Sequence, residues 1–204
     1  MTGMRKGFGV VGVVVMLGGS ALAADKAAAP AAAPQMDAKT QAMMAEMQKL
    51  AAPGAEHKAL APLAGSFTAQ VKMWMGGPKP VENAGTAEGK AIMGGRYVEE
   101  LFTGTVMGQP FEGRGLIGYD NAKKKYVWTW IDTMSTAIST AEGTADATGK
   151  VITLKGESYD PSTKKMSPVK YVFHIESDKK HAFETWETVN GKEARTMEVV
   201  YTRK

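Results

Sequence analysis

The pattern of apolar and polar residues changes twice along the chain. Residues 36–52 carry apolar side chains at helical spacing, and from Gly65 onwards apolar residues alternate with polar ones. A period of two is typical of strands with one buried face. Most of these segments are separated by Gly, Pro, Asn or Asp residues, which favour turns. Ten strands are predicted, at about 65–75, 83–92, 97–106, 110–119, 125–132, 135–144, 151–159, 169–176, 182–189 and 196–203.

Short strands with no helical period between them indicate an all-β, antiparallel sandwich or barrel. In the strand at 125–132, Tyr126, Trp128, Trp130 and Asp132 share one side. Strands with one apolar face and one polar face suit a meander that closes into a barrel. A barrel of about ten strands is wide enough to enclose a cavity, so the pattern favours an interior that binds a ligand.

The helical segment at 36–54 precedes this region. Asp37 is placed to cap its first turn, and Pro53 and Gly54 end it. Its apolar stripe predicts packing near one end of the barrel, or against a partner or a second copy of the chain. The stripe consists of Met36, Met43, Met44, Met47 and Leu50.

The N-terminal residues look like an export signal. Arg5 and Lys6 precede an apolar run and a small-x-small end at residues 21–23, so 1–23 is interpreted as a cleaved signal peptide. Residues 24–35 are rich in Ala and Pro and are predicted to be a linker. The remaining chain, 55–204, forms the predicted barrel domain. These features predict a periplasmic or secreted protein with no stable membrane anchor after cleavage.

Composition narrows the range of functions. The chain has no Cys, which excludes disulfides, thiolate metal sites and Cys nucleophiles. The net charge of +4 falls to +2 without Arg5 and Lys6, and the remaining basic residues are dispersed, so nucleic acid is not an expected partner. The glycines at 113 and 115 are interpreted as turn or bulge glycines, because no helix follows them as in a phosphate loop. No nucleophile–base or metal-hydrolase motif is present, so the protein is predicted not to be an enzyme.

Five ordered blocks of residues resemble a known family. They are His57-x-x-Leu60-x-x-Leu63-Ala64-Gly65-Ser66-Phe67, Gly94-Gly95-Arg96-Tyr97-Val98, Gly108-Gln109-Pro110-Phe111-Glu112-Gly113, Gly118-Tyr119-Asp120 and Tyr126-x-Trp128-x-Trp130-x-Asp132. Together they are similar to the DUF1579 family of bacterial proteins of unknown function. The resemblance implies a lipocalin-like (calycin) β-barrel over about 57–204, and almost no function. The family more often has Gly-x-Trp where this chain has Phe67, whose ring is expected to plug the barrel base.

The candidate ligand site combines the aromatic face with one basic residue. Aromatic side chains on a barrel wall either fill the core or line a cavity for an apolar ligand, with Asp132 as a polar group at the rim. Arg96 is expected to pair with Asp132, Glu99 or a ligand carboxylate, or to be a surface residue at a strand end. The predicted ligand-binding residues are Arg96, Phe111, Tyr126, Trp128, Trp130, Asp132, Tyr171 and Phe173.

Metal and haem sites are weaker alternatives. Met73 and Met75 would present two thioethers on one side of a strand, which suits Cu(I), although methionine is also common in cores. His57, His174 and His181 have no metal-ligand spacing, and none matches the motif of haem-binding barrels of similar shape. No cofactor is therefore predicted. The expected function is an exported, non-enzymatic barrel that binds a small hydrophobic ligand; the alternatives are a filled barrel with a Met-rich docking helix, or a Cu(I) or haem carrier.

Overall fold

The computed structural model describes residues 36–161 and 163–204. The predicted signal peptide (1–23) and linker (24–35) lie outside the described residues. Within the described part of the chain, no helix is both long and apolar enough to cross a membrane.

Two helices and a helical turn precede the sheet. Helix α1 spans Ala38–Ala51, and the Asp37 carboxylate caps it by accepting a 2.8 Å hydrogen bond from the Thr40 N–H. Pro53 and Gly54 separate α1 from the short helix α2, Ala55–Ala59. A 3₁₀ turn, Ala61–Leu63, then leads into the first strand. The predicted start and end of the N-terminal helix are confirmed.

Ten antiparallel strands form a closed barrel, as predicted. Each strand pairs with the next, and the last pairs with the first, with Phe67 opposite Arg203 and Met73 opposite Met197. The strands are β1 Gly65–Met73, β2 Val81–Ile92, β3 Tyr97–Val106, β4 Gln109–Asp120, β5 Lys125–Asp132, β6 Ser139–Ala145, β7 Val151–Asp160, β8 Lys165–Ile175, β9 Lys180–Val189 and β10 Lys192–Arg203. A 3₁₀ turn, Met93–Gly95, joins β2 to β3.

One end of the barrel is closed by the helical segment before β1. Leu60 and Leu63 are buried there, and Phe67 lies just inside them with 1 % of its surface exposed. Gly89 on β2 makes room for this segment, because a Cβ at that position would lie 2.1 Å from the Leu63 carbonyl oxygen. The expectation that the Phe67 ring plugs the base agrees with this arrangement.

Of the packings predicted for α1, the one against the barrel is wrong. None of its residues is buried, and the apolar stripe of Met36, Met43, Met44, Met47 and Leu50 is exposed. The barrel holds only the C-terminal end of α1, through hydrogen bonds to backbone carbonyls. Asn121 Nδ2 donates to the Leu50 and Ala52 oxygens, and Arg96 Nε donates to the Ala51 oxygen at 2.9 Å. Apolar spacing along the helix was therefore not sufficient to infer burial against the barrel.

Candidate ligand-binding site

A cavity of about 280 Å³ occupies the half of the barrel that is distant from the helical segment. It reaches the surface where β1, β3 and β5 end, beside the exposed Met134. Its aliphatic lining comes from valines and methionines, namely Val71, Met73, Val106, Met134, Met197 and Val199. The opposite end of the barrel is closed, so the described residues form a cup with one mouth.

Aromatic rings build most of the cavity wall. Trp128 on β5 is central: its ring centroid lies 4.6 Å from that of Tyr171 and 5.5 Å from that of Phe183. Trp130 stacks on Trp128 at 6.2 Å, towards the mouth. Phe102 and Phe111 pack edge to face at 5.8 Å on the neighbouring strands β3 and β4. Such a wall offers ring faces as well as apolar area to an occupant.

Gly113 and Gly115 lie within a regular strand, which corrects their assignment to a turn or bulge. They pair with Asp132 and Trp130 on β5 without a register shift, and both are buried. A Cβ at Gly113 would lie 2.2 Å from the Trp130 indole. These glycines therefore give the Trp130 ring the space it occupies beside the cavity.

Besides Ser139 and two tyrosines, three polar side chains face the apolar cavity. Asp132 lines it near the mouth, where its carboxylate accepts hydrogen bonds from Trp130 Nε1 at 2.9 Å and from the Met134 N–H at 2.8 Å. Thr185 on β9 is 9 % exposed, and its Oγ1 has no hydrogen-bond partner among the described residues. Glu100 on β3 is the deepest of the three, and its Oε1 is likewise buried without a partner in that part of the chain.

The Glu100 carboxyl lies between two cavities. It lines the large one and also a deeper space of about 20 Å³, which is large enough for one water molecule. Burial raises the pKa of Glu100 from 4.5 to about 7, and the Tyr201 hydroxyl beside it opposes that shift. Burial also raises the pKa of Tyr201 well above 10, with the Glu100 charge adding to the effect. The carboxyl therefore has an unusually stable neutral form for a glutamic acid.

His181 borders the deeper space on the side of the closed end. Its ring stacks on Tyr201 at 4.3 Å and meets Phe67 edge to face at 4.7 Å. Burial lowers the pKa of His181 from 6.5 to about 4, and the nearby Arg203 guanidinium lowers it further. A neutral imidazole is thus held in the core at neutral pH.

Six of the eight predicted site residues lie on the cavity wall: Phe111, Trp128, Trp130, Asp132, Tyr171 and Phe173. Tyr126 shares their face of β5, but it is buried nearer the closed end, where its ring packs on Tyr119 at 5.0 Å.

The expected pairing of Arg96 with Asp132 or Glu99 is wrong, and its position directly before β3 agrees with the alternative of a residue at a strand end. Arg96 lies outside the cavity lining, and its guanidinium donates to the Ala51 and Met93 carbonyl oxygens, both at 2.9 Å. Gly94 and Gly95 adopt positive φ angles of 70° and 81° in the 3₁₀ turn before β3. This turn places Arg96 at the helical end of the barrel, where its partners are one carbonyl of α1 and one of the turn itself.

Sequence reasoning missed Glu100, Thr185 and Phe183. The inward position of Glu100 could have been inferred from the sequence, because it lies between Val98 and Phe102 on the face of β3 that carries the apolar residues. A carboxyl at an inward position costs free energy to bury, so such a residue is a candidate site residue.

The histidines and methionines are separated in the fold. His57 Nδ1 accepts a 2.9 Å hydrogen bond from the Gly54 N–H, and His174 on the outer face lies 3.2 Å from the Glu184 carboxylate. Strand β1 ends at Met73, which lines the cavity, whereas Met75 lies beyond the strand and is exposed. The two thioethers therefore do not share a strand face as expected. Within the described ranges, no group of three His, Cys, Asp or Glu side chains is arranged to hold a metal ion.

Comparison with known proteins agrees with this architecture. Among solved structures, Rv2717c from M. tuberculosis shares the fold with a TM-score of 0.56 at 15 % identity, over 75 % of this chain and 99 % of that chain. A redesigned β-barrel is similar with a TM-score of 0.38 at 11 % identity, over 72 % of this chain and 95 % of that chain. No curated protein matches the sequence. The model of a family described as "protein of unknown function (DUF1579)" matches residues 52–203, and the chain therefore belongs to that family.

Proposed function

We propose that the barrel is a non-enzymatic carrier that binds a small hydrophobic molecule in its interior. The cavity of about 280 Å³ carries this proposal, because its wall is mostly aromatic and aliphatic and it reaches the surface at one end. Known ligand sites have the same character: concave, largely apolar, with a few polar groups that orient the ligand. The closed end and the buried core below the cavity supply a rigid base for such a site.

Neutral probes test this proposal directly. 1-Naphthylmethanol and 1-octanol represent aromatic and aliphatic ligands without a charge. We expect at least one of them to bind with a Kd of about 0.1 mM or tighter by titration calorimetry and to raise the thermal midpoint. If neither these probes nor a charged analogue with the same ring system binds, the carrier proposal fails.

A pair of neighbouring valines provides the matched control. Val199 points into the cavity and Val200 does not line it. The variant Val199→Phe should fill part of the cavity and weaken probe binding, while Val200→Phe should leave it unchanged. Circular dichroism of both variants checks that they fold. Equal effects of the two variants would place the probe outside the barrel.

The exposed methionines of α1 favour a second candidate, in which the protein acts by docking a partner or a second copy through this helix. Met43 is 57 % exposed and Met47 is 62 % exposed, and large apolar groups in a row are common at interaction surfaces. Deleting residues 36–52 separates the two functions. Loss of self-association in sedimentation, with unchanged probe binding, would support docking by the helix, whereas unchanged sedimentation and lost probe binding would oppose it.

The proposal that the protein is exported rests on its sequence alone. The signal-like residues 1–23 and the linker-like residues 24–35 are the basis for proposing a periplasmic or secreted location. Expression of the full chain followed by N-terminal sequencing of the secreted form tests it, with cleavage before Ala24 as the expected result.

A further inference from the structure

The charged side chains that line the cavity in the described part of the chain are all acidic. Glu100 and Asp132 line it, while no Lys, Arg or His side chain from the described ranges does so. Ionised carboxylates are hydrogen-bond acceptors only, whereas the Thr185 hydroxyl, whose Oγ1 has no partner in the same part of the chain, can donate or accept but carries no charge. The cavity therefore offers nothing that would neutralise an anionic ligand such as a fatty acid.

The aromatic wall also favours a cationic ligand. Ring faces attract cations, and this attraction is strongest where water is excluded. Trp128, Tyr171 and Phe183 form a continuous group of rings, with the Tyr171 and Phe183 planes only 17° apart. Glu100 lies on the same cavity, near the closed end.

Resting on the carrier function proposed above, we propose that the cavity selects small apolar amines, with the ammonium group bound at Glu100 and the hydrocarbon body packed against the aromatic wall. A buried carboxyl gives its largest interaction to a ligand that supplies the missing donor and positive charge. Its raised pKa of about 7 supports this assignment, because the site lacks a built-in cation that would hold Glu100 ionised. Asp132 at the mouth would add attraction for a cation on its way in.

A set of three probes with one ring system tests the charge preference. 1-Naphthylmethylamine, 1-naphthylmethanol and 1-naphthoate differ mainly in the polar group, and titration calorimetry at about pH 8 measures each affinity above the Glu100 pKa of about 7. We expect the amine to bind about tenfold more tightly than the alcohol, and the carboxylate about tenfold more weakly. An amine that binds no better than the alcohol would overturn the proposed selectivity while leaving the carrier function intact. If none of the three binds, the carrier function itself fails.

Substitutions at the two neighbouring glutamates locate the ammonium. Glu100→Gln keeps the shape and removes the charge, so it should lower amine affinity about tenfold and change alcohol affinity by less than about twofold. Glu99→Gln makes the same chemical change on the exposed face of β3 and should have no effect. Glu100→Asp retains the charge and should keep a preference for the amine. A Glu100→Gln variant that still prefers the amine as strongly as the wild type would overturn the role of Glu100.

Discussion

Replacing Glu100 by Gln removes a carboxyl whose pKa is raised from 4.5 to about 7 by burial in the folded protein. Between these two values the folded chain holds a proton on Glu100 that the unfolded chain has released. The free energy of unfolding therefore falls as the pH rises through this range. The full cost, reached above about pH 7, is about 3 kcal/mol, because each unit of pKa corresponds to about 1.4 kcal/mol.

His181 has the opposite linkage. Its pKa is lowered from 6.5 to about 4, so between these values the unfolded chain holds a proton that the folded chain lacks. The free energy of unfolding then rises with pH, again by about 3 kcal/mol in total. Between about pH 4.5 and 6.5 the two groups together bind one proton in either state. Their contributions to the pH dependence of the wild type are therefore expected to cancel in that window.

Single substitutions should expose the two contributions. As the pH rises from 4.5 to 7, Glu100→Gln should gain about 3 kcal/mol of stability relative to the wild type, because it lacks the buried carboxyl. As the pH rises from 4 to 6.5, His181→Phe should fall behind the wild type by about 3 kcal/mol, because it has no imidazole to deprotonate. Urea unfolding at intervals from pH 4 to 8 measures the free energy of unfolding of each variant and of the wild type. In the difference between the two proteins, the contributions of groups that both contain, such as Tyr201 and Arg203, cancel. Glu99→Gln is the control and should run parallel to the wild type. A Glu100→Gln difference that is constant over pH 4.5 to 7 would refute the buried-carboxyl reasoning.

Three further predictions concern packing. Gly113→Ala should lower the free energy of unfolding by about 1–3 kcal/mol, because its Cβ would lie 2.2 Å from the Trp130 ring, and urea unfolding that shows no loss would contradict this. Arg96→Ala removes one of the hydrogen bonds to the end of α1, so amide exchange in residues 38–51 should accelerate while exchange in the strands stays constant; unchanged exchange in α1 would show that Arg96 does not hold it. A chain that starts at Pro53 should keep its thermal midpoint within about 3 °C, because α1 buries no residue, and a larger drop would mean that the stripe is packed.

Alternation along the strands was sufficient to predict the barrel and part of its wall. The period of two places Trp128, Trp130 and Asp132 on the inner face, because successive side chains on a strand point to opposite sides. The same rule does not say how far along the barrel axis a residue lies. Tyr126 therefore shares their face and still falls outside the cavity lining, near the closed end.

The remaining errors arise where tertiary contacts decide the outcome. The partners of Arg96 are backbone carbonyls, which no pattern of side chains reveals. The apolar stripe on α1 has the predicted helical spacing. Its burial, however, requires a complementary surface elsewhere, and the spacing of residues along the helix does not predict one. Gly113 was interpreted as a turn or bulge glycine because no helix follows it, whereas its role is to leave space for an indole on the adjacent strand.

The closure of one end by Leu60, Leu63 and Phe67 has a kinetic consequence. Any molecule inside the barrel leaves by the route through which it arrived, and a competitor has no second passage from which to push it out. Replacement must then proceed in sequence, departure first and arrival second. The rate of replacement should accordingly stay equal to the rate of spontaneous departure, however high the concentration of the incoming molecule.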